Sequence, residues 1–591
     1  MIIPRPEYPR PQMQRTEWLN LNGTWQFDID DSNRGLAEHW YENHTLTQSI
    51  QVPFAYQAKL SGIGTNDVHD IVWYRREFDV PATWNNQRIH LNFEAVDYRA
   101  TVWVNGVFAV FHEGGHTPFG VDISKLLKSG SNTVVVRAED VTTDRAQPRG
   151  KQYWLPESAS IFYTRTTGIW QTVWLEPVGD LHVARLKLTP RAEAACLEIE
   201  YEMGGDFSGA FEIETQVSFA GQIVASKTVS VDNGAPNKVW ASNPGIVQQR
   251  VSLGEHDNLK LWSPETPDLY DLTVRVKQNG ALVDAVDSYF GVRTISLENG
   301  KFNLNGKPYY LKFVLDQGYH PDGILTFPSD EAIRHDIELT KAMGFNGARK
   351  HQKVEEPRFL YWADKMGLLV WGEMANCYWY SETAVKRITD EWQAAMRRDY
   401  NHPCIVAWVP MNESWGVPEL VADARQSQHL ASLYALTKSL DPTRPAVSND
   451  GWEHARTDLL TIHDYEGSGE VLTERYASLN STLMSQPAKR LLILPGFMYN
   501  GQPILLTEYG GIGYRKGEQS GWGYTTAEND DDFIQRYRAV VEAVYSSPII
   551  QGYCYTQLTD VEQEINGLLT YDRQPKVPLE IIKQINDSNN A

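Results

Sequence analysis

The chain has 591 residues, more than one hydrophobic core normally serves, so several domains are expected. Apolar residues at 42% are enough for large cores, and charged residues at 22% match an ordinary globular protein. A formal net charge of −21 opposes polyanions, which argues against nucleic acid or an anionic membrane surface as partner.

The opening stretch, Met1-Ile-Ile-Pro-Arg-Pro6, lacks the long apolar core of a secretory signal. No later stretch approaches the ~20 apolar residues of a membrane span. Four cysteines, Cys196, Cys377, Cys404 and Cys554, are scattered without CxxC spacing, so buried thiols are expected rather than a zinc site or a disulfide framework. These features together predict a cytoplasmic protein. The 19 Trp and 29 Tyr supply many flat faces on which sugars stack, although most such residues serve cores and strands.

Residues 1–180 carry a strand pattern. Short runs rich in aromatic and β-branched residues, Thr24–Phe27, Val72–Phe78 and Arg88–Phe93, are separated by turn residues. Ala100-Thr-Val-Trp-Val-Asn-Gly106 alternates and then turns on Asn105-Gly106, a strong hairpin signal. Asn132–Ala138 and Gly168–Glu176 read as further strands, and an all-β sandwich follows. Residues 181–297 continue in short alternating strands, Leu197–Tyr201, Phe211–Phe219 and Asp271–Val276, which fits an immunoglobulin-like β-sandwich. Trp262–Tyr270, with two prolines, reads as an extended loop.

After Phe302-Asn-Leu-Asn-Gly-Lys-Pro308 the period changes. Apolar runs of strand length at Tyr310–Val314, Asn346–Lys350, Leu368–Trp371, Ile405–Val409, Pro445–Ser448, Leu459–His463, Pro503–Thr507 and Ile549–Tyr555 alternate with helical segments. These segments lie after Ser329 and near Pro357–Lys365, Asp390–Tyr400 and Glu419–Leu440. Such βα alternation over residues 298–591 predicts a (β/α)8 TIM barrel, whose active site lies at the C-terminal ends of its strands.

Chemistry-bearing residues fall at those ends. The fourth strand finishes on Asn412-Glu413-Ser414-Trp415 and the seventh on Glu508-Tyr509-Gly510. Two facing carboxylates are the catalytic apparatus of glycoside hydrolysis. Around them the other strand ends carry Asp316, Arg349, His351, Glu373, Asn449-Asp450, His463 and Tyr465, with Trp522 and Asp560 after the seventh and eighth strands. A ring of carboxylates, amides, imidazoles and indoles suits a polyhydroxylated substrate.

These residues carry a resemblance to glycoside hydrolase family 2, the group of β-galactosidases, β-glucuronidases and β-mannosidases. The resemblance rests on Leu21-Asn-Gly-Thr-Trp-Gln-Phe27, Val104-Asn-Gly106, Gly168-Ile-Trp170, Phe302–Pro308, Gly344-Phe-Asn346 with Arg349, Trp371-Gly-Glu-Met-Ala-Asn376, Asn412-Glu413-Ser414 and Thr507-Glu-Tyr-Gly510. It implies that residues 1–180 form a jelly-roll, sugar-binding-type domain ahead of the immunoglobulin-like domain and the barrel, and that the reaction is a retaining double displacement, with Glu413 as acid/base and Glu508 as nucleophile. Glu413 would then hold its proton near neutral pH while Glu508 stays ionised. It also implies that Asn412 bonds the 2-hydroxyl of the sugar and that Tyr465 hydrogen-bonds the nucleophile. Asp316, Arg349, His351, Glu373, Trp415, His463, Trp522 and Asp560 complete the candidate substrate-binding set.

Departures from the family pattern bear on the sugar. Members that cleave β-glucuronides have an Asn-x-Lys motif late in the barrel, and this chain has Asn566-Gly567-Leu568 there. Without that lysine a buried carboxylate lacks a partner, unless Lys350 or Lys516 supplies one. The large β-galactosidases bind magnesium through a Glu-His-His motif where this chain has Leu315-Asp-Gln-Gly-Tyr319, so no metal and no other cofactor is expected. The leading expectation is an exo-acting glycosidase for a neutral, galactose-configured terminal sugar. The alternatives are a β-glucuronidase, a galactofuranosidase or arabinosidase, and a non-catalytic carbohydrate-binding protein. The expected partners are a glycoside or oligosaccharide and, as a general prior, a second copy of the chain.

Overall fold

The computed structural model describes residues 3–206, 209–232, 245–517 and 520–588. The first β-sandwich pairs two antiparallel sheets. The six-stranded sheet runs from edge to edge as Gln48–Val52, Gly23–Ile29, Ile71–Phe78, Asn132–Glu139, Arg99–Val104 and Val107–Glu113. Facing it are Leu19–Asn20, Val173–Val178, Arg88–Phe93 and Phe119–Asp122. Period-two alternation along Arg88–Phe93 sends Ile89, Leu91 and Phe93 into the core with Trp25, Phe27 and Tyr74. Asn105 and Gly106 both take left-handed φ, 52° and 80°, which closes the hairpin between Arg99–Val104 and Val107–Glu113.

The single strand expected over Gly168–Glu176 is two, Gly168–Ile169 and Val173–Val178, each in a different sheet. Between them Trp170 donates its indole N–H to Gly115 O at 2.8 Å and packs with Tyr319, Ile324 and Leu325 of the barrel. The break therefore builds an apolar seam between the two units.

The second sandwich pairs Leu181–Arg191, Cys196–Gly205 and Ile246–Ser252 with a sheet of Gln222–Val231, Phe211–Phe219, Tyr270–Gln278 and Ala281–Phe290. Trp262, in the extended segment before Tyr270, is fully buried and its indole donates to Asp364 O at 2.8 Å. The segment thus anchors this sandwich to the barrel. The chain's opening residues staple all three units. Arg5 pairs with Glu356 of the barrel at 2.6 Å, and Arg15 reaches Glu176 at 3.1 Å and Asp284 at 3.0 Å.

In the barrel, seven parallel strands form one curled sheet: Ile405–Val409, Leu369–Glu373, Gly347–Lys350, Leu311–Asp316, Ile550–Thr556, Ile504–Gly510 and Leu460–Asp464. The expected fifth strand, Pro445–Ser448, forms no continuous ladder. Its region joins through isolated parallel bridges, Trp408 with Ala446 and Asn412 with Asp450. Pro445 has no N–H to give to a ladder, which is one reason pairing stays local there. Helices cover the outside as the capping residues direct. Asp330–Ala342 starts after Ser329, whose side chain accepts from Ala332 N, and Glu382–Asp399 starts after Ser381, earlier than the expected Asp390. The helix expected from Glu419 begins at Ala424, after Asp423 caps it. Among the described residues no helix is long and apolar enough to cross a membrane.

Trp170 is 1% exposed at the seam. Truncation to Ala is expected to cost about 3–5 kcal/mol of stability, read from urea unfolding of the full chain. A loss below ~1 kcal/mol would show that the seam contributes little to holding the first sandwich on the barrel.

Candidate active site

The fourth strand is buried at every residue from Ile405 to Val409, and the chain leaves it in a strained turn. Glu413 and Ser414 take left-handed φ of 52° and 62°, a conformation that costs non-glycine residues on the order of 1–3 kcal/mol each. Hydrogen bonds hold it. Glu413 N donates to Asp450 O at 2.9 Å, Ser414 N to Asn449 Oδ1 at 2.9 Å, and Ser414 Oγ to Glu453 Oε2 at 2.6 Å. The turn aims the Glu413 carboxylate back over the barrel, with 17% of its side chain exposed.

Glu508, on the wholly buried seventh strand, meets it. One oxygen of Glu413, one of Glu508 and a ring nitrogen of His463 all lie within 4.8 Å of one another. Glu508 is fixed from two sides. Arg349 Nη1 donates to Oε1 at 2.9 Å and the Tyr465 hydroxyl to Oε2 at 2.5 Å. Tyr465 in turn stacks on Tyr524.

Arg349 is the hub. Fully buried, it reaches Glu373 at 2.7 Å, Asp450 at 2.6 Å, Glu508 at 2.9 Å and Asn412 Oδ1 at 2.6 Å. Asn412 is thereby oriented with its Nδ2 buried and without a hydrogen-bond partner among the described residues, a donor ready for a ligand hydroxyl. Burial works against charge on the Arg349 guanidinium, but its three carboxylates outweigh that and hold it charged.

The imidazoles divide. Burial alone would lower His463, yet the charges of Glu508 and Asp450 and hydrogen bonds to Asp450 and Glu413 raise it to about 10. It donates to Glu413 Oε1 at 2.8 Å and to Asp450 Oδ2 at 3.1 Å. His351 goes the other way, lowered well below the usual range by burial and by Arg349, so its Nδ1 accepts from Arg349 Nη2 at 2.9 Å.

The structure brings Glu413, Glu508, Asn412, Tyr465, Arg349, Glu373, His351 and His463 into one network. Trp415 joins its edge, 6.4 Å from His351 between ring centroids. Trp522 sits at the rim, its indole donating to Ser160 O of the first sandwich at 3.1 Å. Asp316 and Asp560 lie in separate ion pairs, Asp316 with Lys350 at 2.6 Å and Asp560 with Lys576 at 2.6 Å. Burial raises Asp560 to about 6 against the pull of Lys576.

The two lysines considered as partners for a sugar carboxylate are engaged elsewhere: Lys350 with Asp316 and Glu355, at 2.8 Å for the latter, and Lys516 with Asp530 at 2.6 Å. Leu568 is buried in the barrel core. Asp450, read only as part of a strand-end ring, proves central to the hub. Sequence reasoning named no residue of the first sandwich for the site. Lys151 lies with its ammonium 5.0 Å from the centroid of the Trp415 ring, and the Tyr163 hydroxyl donates to Glu564 Oε2 at 2.5 Å. Gly150 was the available signal. It has φ of 58°, and a Cβ there would lie 2.0 Å from Gln352 O of the barrel.

Two clusters among the described residues have metal-ligand chemistry. Asp364, His402 and Cys404 form a buried knot in which Asp364 already accepts from Tyr289 and from Cys404 N. In the other, Glu413 and Glu508 flank His463, whose two ring nitrogens already meet Glu413 Oε1 at 2.8 Å and Asp450 Oδ2 at 3.1 Å.

Known proteins share this architecture. The family model described as "Glycosyl hydrolases family 2, sugar binding domain" matches residues 19–147, "Glycosyl hydrolases family 2" matches 181–293, and "Glycosyl hydrolases family 2, TIM barrel domain" matches 295–589. A mouse β-glucuronidase is 24% identical over 98% of this chain and 91% of its own length. A putative β-glucuronidase of Formosa agariphila and a β-galactosidase of Thermoanaerobacter pseudethanolicus are each 27% identical over 73% and 76% of this chain. This chain spans about half the length of the Formosa protein and 57% of the Thermoanaerobacter one. The structure of a β-glucuronidase from Ruminococcus gnavus in complex with D-glucuronic acid superposes with a TM-score of 0.77 at 20% identity, covering 99% of this chain and all of that one.

Folding raises His463 from about 6.5 in an unfolded chain to about 10 in the folded one. Its contribution to stability is therefore full below pH ~6.5 and is lost as pH rises toward the folded value. A His463→Gln variant is expected to unfold at lower urea than the parent at acidic pH, with the gap narrowing as the pH is taken from neutral toward the alkaline limit. A gap independent of pH would contradict a charged imidazole.

Proposed function

As a member of glycoside hydrolase family 2 the chain is an O-glycosyl hydrolase, and we propose that it cleaves a terminal sugar with retention of anomeric configuration, using Glu508 as nucleophile and Glu413 as acid/base. The observation that carries this reading is the approach of the two carboxylates, with an oxygen of each within 4.8 Å. Retaining enzymes hold the pair ~5–5.5 Å apart, whereas inverting ones leave room for a water between them at ~6.5–9.5 Å.

Glu508 attacks the anomeric carbon as Glu413 protonates the departing glycosidic oxygen, so a C1–O bond to the protein forms while the bond to the aglycone breaks. Glu413, now ionised, takes a proton from water, whose oxygen displaces Glu508. Two inversions give net retention. The donors from Arg349 and Tyr465 hold the Glu508 oxygens in line, and the unpartnered Asn412 Nδ2 is placed for the 2-hydroxyl. The more exposed Glu413 faces the side from which an aglycone departs and water enters.

For the sugar, a β-glucuronide has the stronger support, ahead of the galactose-configured substrate expected from the motif departures. The mouse relative matched along nearly the whole chain carries the name β-glucuronidase, as does the Ruminococcus neighbour with its bound glucuronic acid. The galactoside reading keeps the Thermoanaerobacter relative and the missing lysine of Asn566-Gly567-Leu568 in its favour.

Turnover of p-nitrophenyl glycosides, covering β-glucuronide, β-galactopyranoside, β-galactofuranoside, β-mannoside and arabinosides, ranks these substrates directly. The glucuronide is expected to give the highest kcat/KM, and silence on the entire panel would favour a binding protein. Glu508→Gln is expected to bring hydrolysis of all substrates below detection. Glu413→Gln should slow glycosides with poor leaving groups about 10²–10⁴-fold while largely sparing the first step on activated aryl glycosides. Equal losses in both variants on aryl glycosides would overturn the division of roles, and an NMR-observed α-anomer as first product would overturn retention.

A further inference from the structure

A uronide substrate needs a cation at the mouth, and the barrel's own cations are committed. Arg349 serves three carboxylates, Lys350 and Lys353 serve Glu355, Lys576 serves Asp560, and Arg573 serves Asp336. Lys151 differs. Its side chain is 7% exposed, and among the described residues no carboxylate oxygen lies within 4 Å of its ammonium. The stem is buried while the ammonium keeps contact with solvent and has no ionic partner among the described residues, so its charge is available to an anion that enters the mouth.

The loop that carries Lys151 is built to hold it there. Arg149 N and Gly150 N both donate to Asn376 O of the barrel at 3.1 Å, and only a residue without a Cβ fits against Gln352 O at the second of these positions. Tyr153 N donates to Tyr163 O, and Tyr163 N to Lys151 O, each at 2.9 Å, so the backbone of Lys151 is pinned on both sides. Gln152 Nε2 donates to Asp97 Oδ2 at 2.8 Å. The ammonium then stands over Trp415, the residue two beyond Glu413, and Trp415 borders His351, whose Nε2 is 3.9 Å from Glu508 Oε1.

The charge also reaches the site electrostatically. Burial and Arg349 lower His351, and Lys151 adds to that lowering. Burial raises Glu564, and Lys151 opposes it. Glu564 is the acidic neighbour across the mouth, but its two oxygens accept from the Tyr163 hydroxyl at 2.5 Å and from Asn566 Nδ2 at 3.0 Å.

We propose that Lys151, supplied by the first β-sandwich, is the cation that receives the substrate's carboxylate and so sets specificity for a uronide. This rests on the uronide reading given above. The ammonium then does from the neighbouring domain what a lysine at position 568 would do from the barrel. The first sandwich thereby becomes part of the catalytic pocket.

The test compares the full-length parent with Lys151→Met and Lys151→Arg on p-nitrophenyl β-D-glucuronide and β-D-glucoside, which share an aglycone and differ only at C6. Losing one partner of a desolvated charge pair predicts a fall of about 100-fold in glucuronide kcat/KM for the Met variant. That loss should exceed its loss on the glucoside at least about tenfold, with Lys151→Arg recovering part of it. Equal losses on both sugars, or an undiminished glucuronide rate in the Met variant, would overturn the proposal. If glucoside turnover is too slow to compare, the Arg variant decides: recovery of glucuronide turnover supports the proposal and no recovery overturns it. A parent that prefers a neutral glycoside and ignores the glucuronide refutes the uronide reading itself, whereas a parent active on the glucuronide with an unaffected Met variant refutes only the role of Lys151.

Discussion

The buried guanidinium of Arg349 is the constraint from which the site follows. Removing an arginine from water costs several kcal/mol, and here three carboxylates, an amide oxygen and a neutral imidazole compensate it. Those partners come from the ends of the second, third, fourth, fifth and seventh barrel strands. A single planar fork therefore sets the relative positions of residues far apart in sequence, Glu373, Asn412, Asp450 and Glu508 among them. Any shift of one strand end leaves a buried charge unpaired, which makes the constellation rigid.

Within this frame the two catalytic candidates receive different surroundings. Glu508 lies on a buried strand between Arg349 and Tyr465, which donate to its two oxygens. Glu413 stands on a strained turn with greater exposure and contacts the network through His463. The left-handed backbone at Glu413 and Ser414 is maintained by bonds to Asp450, Asn449 and Glu453, so strain at the chemistry is offset by polar contacts around it. The protonated His463, shared between Glu413 and Asp450, ties the exposed carboxylate back to the hub.

The first sandwich packs on the barrel and also borders the site. Its seam with the barrel around Trp170, Tyr163 and Tyr319 is apolar, and its loop from Arg149 to Tyr163 reaches over the strand ends. A glycine with left-handed φ permits that approach, and the aromatic faces of Phe162, Tyr378 and Trp415 close around it. Domain packing and pocket shape are therefore one structural problem: loosening the seam would displace the loop that lines the mouth.

Much of this was legible along the chain. Alternation identified the strands of both sandwiches, Ser329 marked a helix start that the structure keeps, and two apolar runs ending on Asn412-Glu413 and Glu508 pointed to the proposed catalytic pair, because strand period, capping chemistry and apolar continuity are local properties. The weak fifth strand, the split at Trp170 and the later start of the helix at Ala424 were less legible, since each depends on which partner the backbone finds across the fold. The partner of each charged side chain was not legible at all. Asp316 and Asp560 resemble Asp450 as acidic residues at the barrel mouth, yet the first two are taken up by Lys350 and Lys576 while the third meets Arg349. Lys151 sits more than 250 residues from the glutamates in sequence, and only the docking of one domain on another brings its charge to the mouth. Composition and periodicity thus determined the kinds of structure and marked the candidate pair of acids. Pairing of charges across long separations is a three-dimensional property, and the tertiary fold alone decided it.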